Sequence, residues 1–98
     1  MQLYQLYLGT NVPSSDQVVA KEEIHSLLAI YPDLFGYTLI EVEGYWQGEM
    51  EKTFVLQITH PNQDLIYAIG RRYRLTFNQE SVMVVLPNGN VDFIEENS

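Results

Sequence analysis

Residues 73–85 read YRLTFNQESVMVV, and this run decides the fold. Tyr73 and Phe77 stand four apart, on one helical face. Asn78-Gln79-Glu80-Ser81 is a polar break. Val82-Met83-Val84-Val85 is a short apolar run that suits a buried strand. The run therefore reads as a helix turning into a strand, with Arg71, Arg72 and Arg74 in the helix's last turns, where cations complement the negative end of the helix dipole.

Working back from this unit, Asn62 is a good N-cap and Asp64 suits the first turn, so the helix starts just after His60-Pro61. Its buried stripe is Ile66, Ile69, Tyr73 and Phe77. Gly70 in mid-helix costs about 1 kcal/mol against alanine, which points to a close packing contact there. Before it, Tyr37 to Val42 and Lys52 to Thr59 alternate as strands. They read as an antiparallel hairpin whose connection, Gly44-Tyr45-Trp46-Gln47-Gly48-Glu49, is longer than minimal. Trp46 continues the parity of Ile40 and Val42, which suggests core packing.

Further back, a first helix is expected from about Asp16 to Tyr31, started by Pro13-Ser14-Ser15-Asp16 and ended by Pro32. Its stripe is Ala20, Ile24, Leu27, Leu28 and Tyr31. Leu34 and Phe35 are expected to tuck onto the core behind it. Leu3 to Thr10 is the first strand, apolar on both faces and hence central or doubly covered. Forward of the deciding run, Ser81 to Leu86 is a strand. Asn88-Gly89 is the strongest short hairpin signal, so Val91 to Ile94 is a fifth, edge strand, and Glu95 to Ser98 is an acidic tail expected to fray.

The order is β-α-β-β-α-β with one β added. The expectation is a single α+β domain over 1–98, a ferredoxin-like sandwich with two helices on one face of an antiparallel sheet. Leu3, Tyr7, Tyr37, Leu39 and Val55 would then leave the other face more apolar than a monomer normally exposes. That favours a homodimer packed sheet to sheet.

The totals narrow the function classes. The 98 residues are 46% apolar, enough for one core. Without cysteine, a disulfide framework, a thiolate nucleophile and a cysteine zinc site are excluded. No apolar run reaches membrane-span length, and the N-terminus lacks the basic region and cleavage signature of a signal peptide. A soluble cytoplasmic protein is expected, with no membrane partner. A net charge of −8 disfavours direct nucleic-acid binding, where affinity comes from neutralising phosphates.

Four stretches occur in order: Leu6-Tyr7-Leu8-Gly9, Gly44-Tyr45-Trp46-Gln47-Gly48, Glu51-Lys52-Thr53 and Tyr73 through Val82. Together they resemble a family of small bacterial proteins known only as a domain of unknown function. Its members show an LYFG-like first strand, a G-x-W turn and a helix ending Y-x-x-x-F-x-Q-E-S-V. The resemblance spans most of the chain. The chain departs from it in lacking a proline-rich segment before the second strand and any export signal. The resemblance implies a ferredoxin-like fold and assigns no activity.

The chemistry-bearing residues are few. His25 and His60 make no metal signature, and His60 before Pro61 reads as a solvated turn residue rather than a general base. Ser81 has no histidine near it in sequence for a triad. Gln79-Glu80-Ser81 reads first as helix capping and second as a site. Arg71, Arg72 and Arg74 read first as ion-pair partners for Glu41, Glu43, Glu49 or Glu51, and second as a grip for a carboxylate or phosphate. Tyr45 and Trp46 could stack a planar ligand. No glycine phosphate loop is present.

The leading expectation is a non-catalytic binding or regulatory module, a homodimer with an acidic surface and a protein partner. The alternative is a small-molecule binder whose anionic ligand, such as a nucleotide, meets Arg71, Arg72, Arg74, Tyr45, Trp46 and Glu80. A dimeric α+β barrel enzyme and a nucleic-acid mimic rank below these. No cofactor or metal is implied.

Overall fold

The structure, a computed structural model, describes residues 1–96. Its elements are β1 (Gln2–Gly9), α1 (Lys21–Leu28), β2 (Thr38–Trp46), β3 (Glu49–His60), α2 (Gln63–Thr76), β4 (Ser81–Val85) and β5 (Val91–Glu95). The strands form one antiparallel sheet in the order β2-β3-β1-β4-β5. The end of the expected acidic tail, residues 97–98, lies outside the described residues.

Alternation along the strands sorts their side chains into two faces. Tyr4, Leu6, Leu8, Phe54, Leu56, Ile58, Val82, Val84 and Ile94 point to one side. There they meet Ile24, Leu27 and Leu28 of α1 and Ile66, Ile69 and Tyr73 of α2 in one buried cluster. Gly70 faces this layer. A side-chain carbon there would collide with the end of Ile94, so bare backbone lets α2 lie close to β5. The expected close contact at Gly70 is thus explained.

α1 is shorter than the expected span from Asp16 to Tyr31. The polar residues read as its start belong to a tight excursion instead. Asn11 bridges Val18, Ser14 has φ of 61°, and Ser15 Oγ accepts from the Gln17 N–H at 3.0 Å. Val19 N–H donates to the Thr10 carbonyl at 2.8 Å, which closes the excursion and buries Val19. The helix then starts after Ala20, whose N–H is held by Glu23 Oε1 at 3.0 Å. At its far end Tyr31 N–H bonds back to Leu28, three residues away, so the last turn tightens before Pro32. Leu34 packs on the core as expected, but Phe35 is 87% exposed at the loop tip.

The β2–β3 hairpin is tighter and longer than expected. Pairing runs out to Trp46↔Glu49, leaving only Gln47 and Gly48 as the turn. Both have positive φ, 52° and 82°, the backbone twist that a two-residue hairpin turn requires. β1 pairs with β3 only as far as Gly9↔Thr53, so residues 43–52 project beyond it as a two-stranded ribbon. Trp46 keeps the parity of Ile40 and Val42, but that parity faces away from the helices. Trp46 is therefore 60% exposed rather than in the core.

Candidate functional site

On the helix-free face the register aligns one residue from each strand into a single row: Ile40, Val55, Tyr7, Met83 and Phe93. At one end of this row a cleft of about 560 Å³ opens. The projecting ribbon walls it with Tyr45, Trp46 and Glu49. Tyr7, Met83 and Phe93 form its apolar side, and the turn from α2 into β4 supplies Gln79, Glu80 and Ser81.

That turn is built by the run quoted at the outset. Gln79 N–H returns to the Arg74 carbonyl at 2.9 Å, while Asn78 between them has φ of 51°. This is the left-handed backbone cap that ends many helices. The cap brings the Gln79 side chain inward, where it is only 8% exposed. Its Nε2 donates to the Asn11 carbonyl at 2.8 Å and to the Phe77 carbonyl at 3.2 Å. Tyr73 OH donates to the Gly9 carbonyl at 2.5 Å. Burial pushes the Tyr73 phenol well above its ordinary pKa, with the Glu51 and Glu23 charges adding to the effect, so it stays a donor.

The end of β1 is thus clamped from α2. It is also clamped from the ribbon. Thr10 Oγ1 donates to the Lys52 carbonyl at 2.5 Å, and Glu51 Oε2 accepts the Asn11 N–H at 2.9 Å. Gly9 makes room for that carboxylate, since a side-chain carbon there would stand 3.0 Å from both of its oxygens. The floor of the cleft is therefore rigid, and the ribbon that walls it is tied at its base.

The structure brings three of the expected site residues, Tyr45, Trp46 and Glu80, into one cleft. It does not bring the arginines there. Arg71 and Arg72 lie on the exposed side of α2, across the sheet from the row. Arg72 lines a more open depression of about 450 Å³ between the helices, with Glu22, Glu23 and Phe77. Arg74 donates from Nη1 to the Gln79 backbone carbonyl at 3.3 Å. Among the described residues, none of the three arginines forms an ion pair with Glu41, Glu43, Glu49 or Glu51; Glu41 pairs with Lys52 at 4.0 Å. Trp46, Glu49 and Glu51 have the strand parity of the face opposite α2, which sequence spacing does not show.

His60 is a second correction. It is buried, its Nδ1 accepts the Asn62 N–H at 2.9 Å, and its Nε2 meets the Asp33 carbonyl at 3.1 Å. It ties a loop to the start of α2 rather than lying in solvent. His25 Nδ1 and Tyr37 OH are 2.5 Å apart. Among the described residues no cluster of His, Asp and Glu could hold a metal.

Sequence reasoning missed Tyr7, Glu49, Met83 and Phe93 as lining residues, and it read Glu51 only as an ion-pair partner. Strand parity carried part of the signal, placing Tyr7 off the core face. The register across five strands, which aligns Tyr7 with Met83 and Phe93, leaves no local mark in the chain.

Residues 3–93 match the family described as "Protein of unknown function (DUF3574)". No curated protein matches the sequence. A solved structure described as "phage SAM lyase in apo state" has a similar fold, with a TM-score of 0.75 over 98% of this chain and 90% of its own. The two sequences are 19% identical, so the likeness concerns the fold.

Proposed function

Since the chain belongs to this DUF3574 family, whose function is unknown, its role has to be read from its own site. We propose that it is a binding module for a small organic molecule with a planar ring, held in the cleft beside the hairpin ribbon. One observation carries the reading. The four stretches that carry the family resemblance are far apart in sequence, yet Tyr7, Gly9, Trp46, Glu51, Gln79 and Glu80 from those stretches all line this one cleft. Four aromatic rings, those of Tyr7, Tyr45, Trp46 and Phe93, surround it, and aromatic faces stack planar ligands. A floor fixed by hydrogen bonds on both sides keeps the site formed before a ligand arrives.

The similarly folded phage enzyme is named for S-adenosylmethionine, a molecule with an adenine ring, which makes that compound the first probe. The chain's single tryptophan, Trp46, reports directly on the cleft. Saturable quenching of its fluorescence by S-adenosylmethionine, lost in Trp46→Phe but kept by calorimetry, is the expected result. Binding that leaves Trp46 unperturbed would place the ligand elsewhere and refute the reading. The second reading is catalysis in the same cleft, which the fold of the phage lyase favours, with Glu51 or Glu80 as a proton acceptor. Loss of intact S-adenosylmethionine by mass spectrometry during the same incubation would establish it.

The binding module is read as a homodimer with an acidic outer surface. The support is the row from Ile40 to Phe93, where Ile40 and Phe93 are 39% and 44% exposed on a face without helices. The strand order supports a ferredoxin-like reading of the first six elements. β3 and β4 flank β1, β2 lies outside β3, and β5 is added outside β4. Sedimentation of the purified protein tests the dimer; a monomer at all concentrations would remove it.

A further inference from the structure

Among the described residues the lining of the cleft carries acidic charge without basic charge, and it holds one acceptor in a fixed orientation. Gln79 supplies that acceptor. Its side-chain nitrogen is committed to two backbone carbonyls, which fixes which end of the amide is which. Its Oε1 has no partner. Among the described residues no fully buried side-chain oxygen or nitrogen lacks a partner, so this oxygen is reached by solvent, and Gln79 lines the cleft. The side chain is otherwise more than nine-tenths buried, so this acceptor is held in place, ready for a ligand N–H.

The charges agree with it. Glu49, Glu51 and Glu80 line the cleft, and no lysine or arginine does among the described residues. Glu51 is held at Oε2 by the Asn11 N–H, and Gly9 leaves space against both of its oxygens. Its carboxylate is therefore positioned in advance, with Oε1 left over. A neutral ligand covering these groups would strip water from a carboxylate and return no opposite charge. An anion would meet repulsion as well. A cation bearing N–H groups would pair with the carboxylates, satisfy Gln79 Oε1 and lie against ring faces that themselves favour positive charge.

We infer that the ligand of this cleft is an organic cation with N–H donors next to its planar ring, and that Glu51 is its fixed counter-charge. This rests on the cleft being the binding site proposed above. It also reverses the sign of ligand that the arginines suggested from sequence.

The test uses three compounds that share one ring and differ in charge: adenosine, adenosine monophosphate, and the amino analogue with an ammonium in place of the phosphate. Each is titrated against the full-length protein with Trp46 fluorescence as the readout. The ammonium compound should bind about tenfold or more tighter than adenosine, with the monophosphate weakest. Glu51→Gln keeps an oxygen for the Asn11 N–H and so keeps the fold. It should weaken the ammonium compound about tenfold and leave adenosine within about twofold. If the monophosphate binds as well as the ammonium compound and still perturbs Trp46, the charge assignment is wrong while the cleft remains the site. If Glu51→Gln leaves the ammonium compound's affinity unchanged, Glu51 is not the counter-charge. If none of the three perturbs Trp46, the site itself is wrong and the inference fails with it.

Discussion

On the helix side of the sheet, Tyr4, Leu6, Leu56 and Val84 are sealed from water; on the other side, Ile40, Tyr7, Met83 and Phe93 are spaced in the same way and stay partly open. The strands carry one alternation, and it supplies apolar groups to both faces. What differs is what lies above. Two amphipathic helices cover the first face, and their apolar stripes join it in one buried cluster. The second face has no such cover, and Glu49, Glu51 and Glu80 gather at one end of it, where the ribbon rises past β1. A closed face holds the fold together. An open one, with a rigid floor and a free acceptor, is where a ligand can be met.

The comparison can be broken by substitution. Leu56→Ala removes a fully buried side chain from the helix-covered face, and chemical denaturation should register a loss of about 2–5 kcal/mol. On the open face, Ile40→Ala should cost less than about 1 kcal/mol in the same assay, because its environment is already partly water. Equal losses would mean that the second face is covered in solution. Tyr73→Phe keeps the packing and deletes the hydrogen bond to the Gly9 carbonyl, so about 1 kcal/mol is expected, together with weaker ligand binding as the floor loosens.

A smaller effect sits at the far edge of the closed face. Tyr67 donates to Asp92 at 2.7 Å, and burial first, then that bond, pushes its phenol up to about 12 from an ordinary 10. The folded state thus holds this proton more tightly than the unfolded chain does. The resulting stability is intact below about pH 10 and is lost as pH rises towards 12. Tyr67→Phe should flatten part of that alkaline decline in thermal melts; an unchanged slope would assign the decline to other groups.

The helix-to-strand run at 73–85 was legible because each of its signals is local. An i, i+4 aromatic pair, a polar break and a β-branched run leave little choice. Asn88-Gly89 was legible for the same reason. The helix start at Asp16 was not, because Ser15 serves a turn as readily as a helix cap, and only the pairing of Asn11 with Val18 decides between them. Trp46 shows a subtler limit. Its parity was correct, but parity cannot say which of two apolar faces the helices will cover. Chemistry alone groups the arginines with Tyr45 and Trp46, and the sheet stands between them. The cleft needed five strands in register, and that information is long-range.

The two rims of the sheet carry their own consequence. β2 ends it on one side and presents Glu41 and Glu43; β5 ends it on the other and presents Asp92 and Glu95. Exposed strand edges invite another chain to add itself, and charge along them is a common protection. Here that protection is of one sign, so copies approaching rim to rim repel each other at neutral pH. It is also titratable. Close to the isoelectric point of about 4.4 the repulsion fades while the unpaired backbone remains, and the protein should be most prone to fibrous self-association there rather than at the pH where its core is weakest.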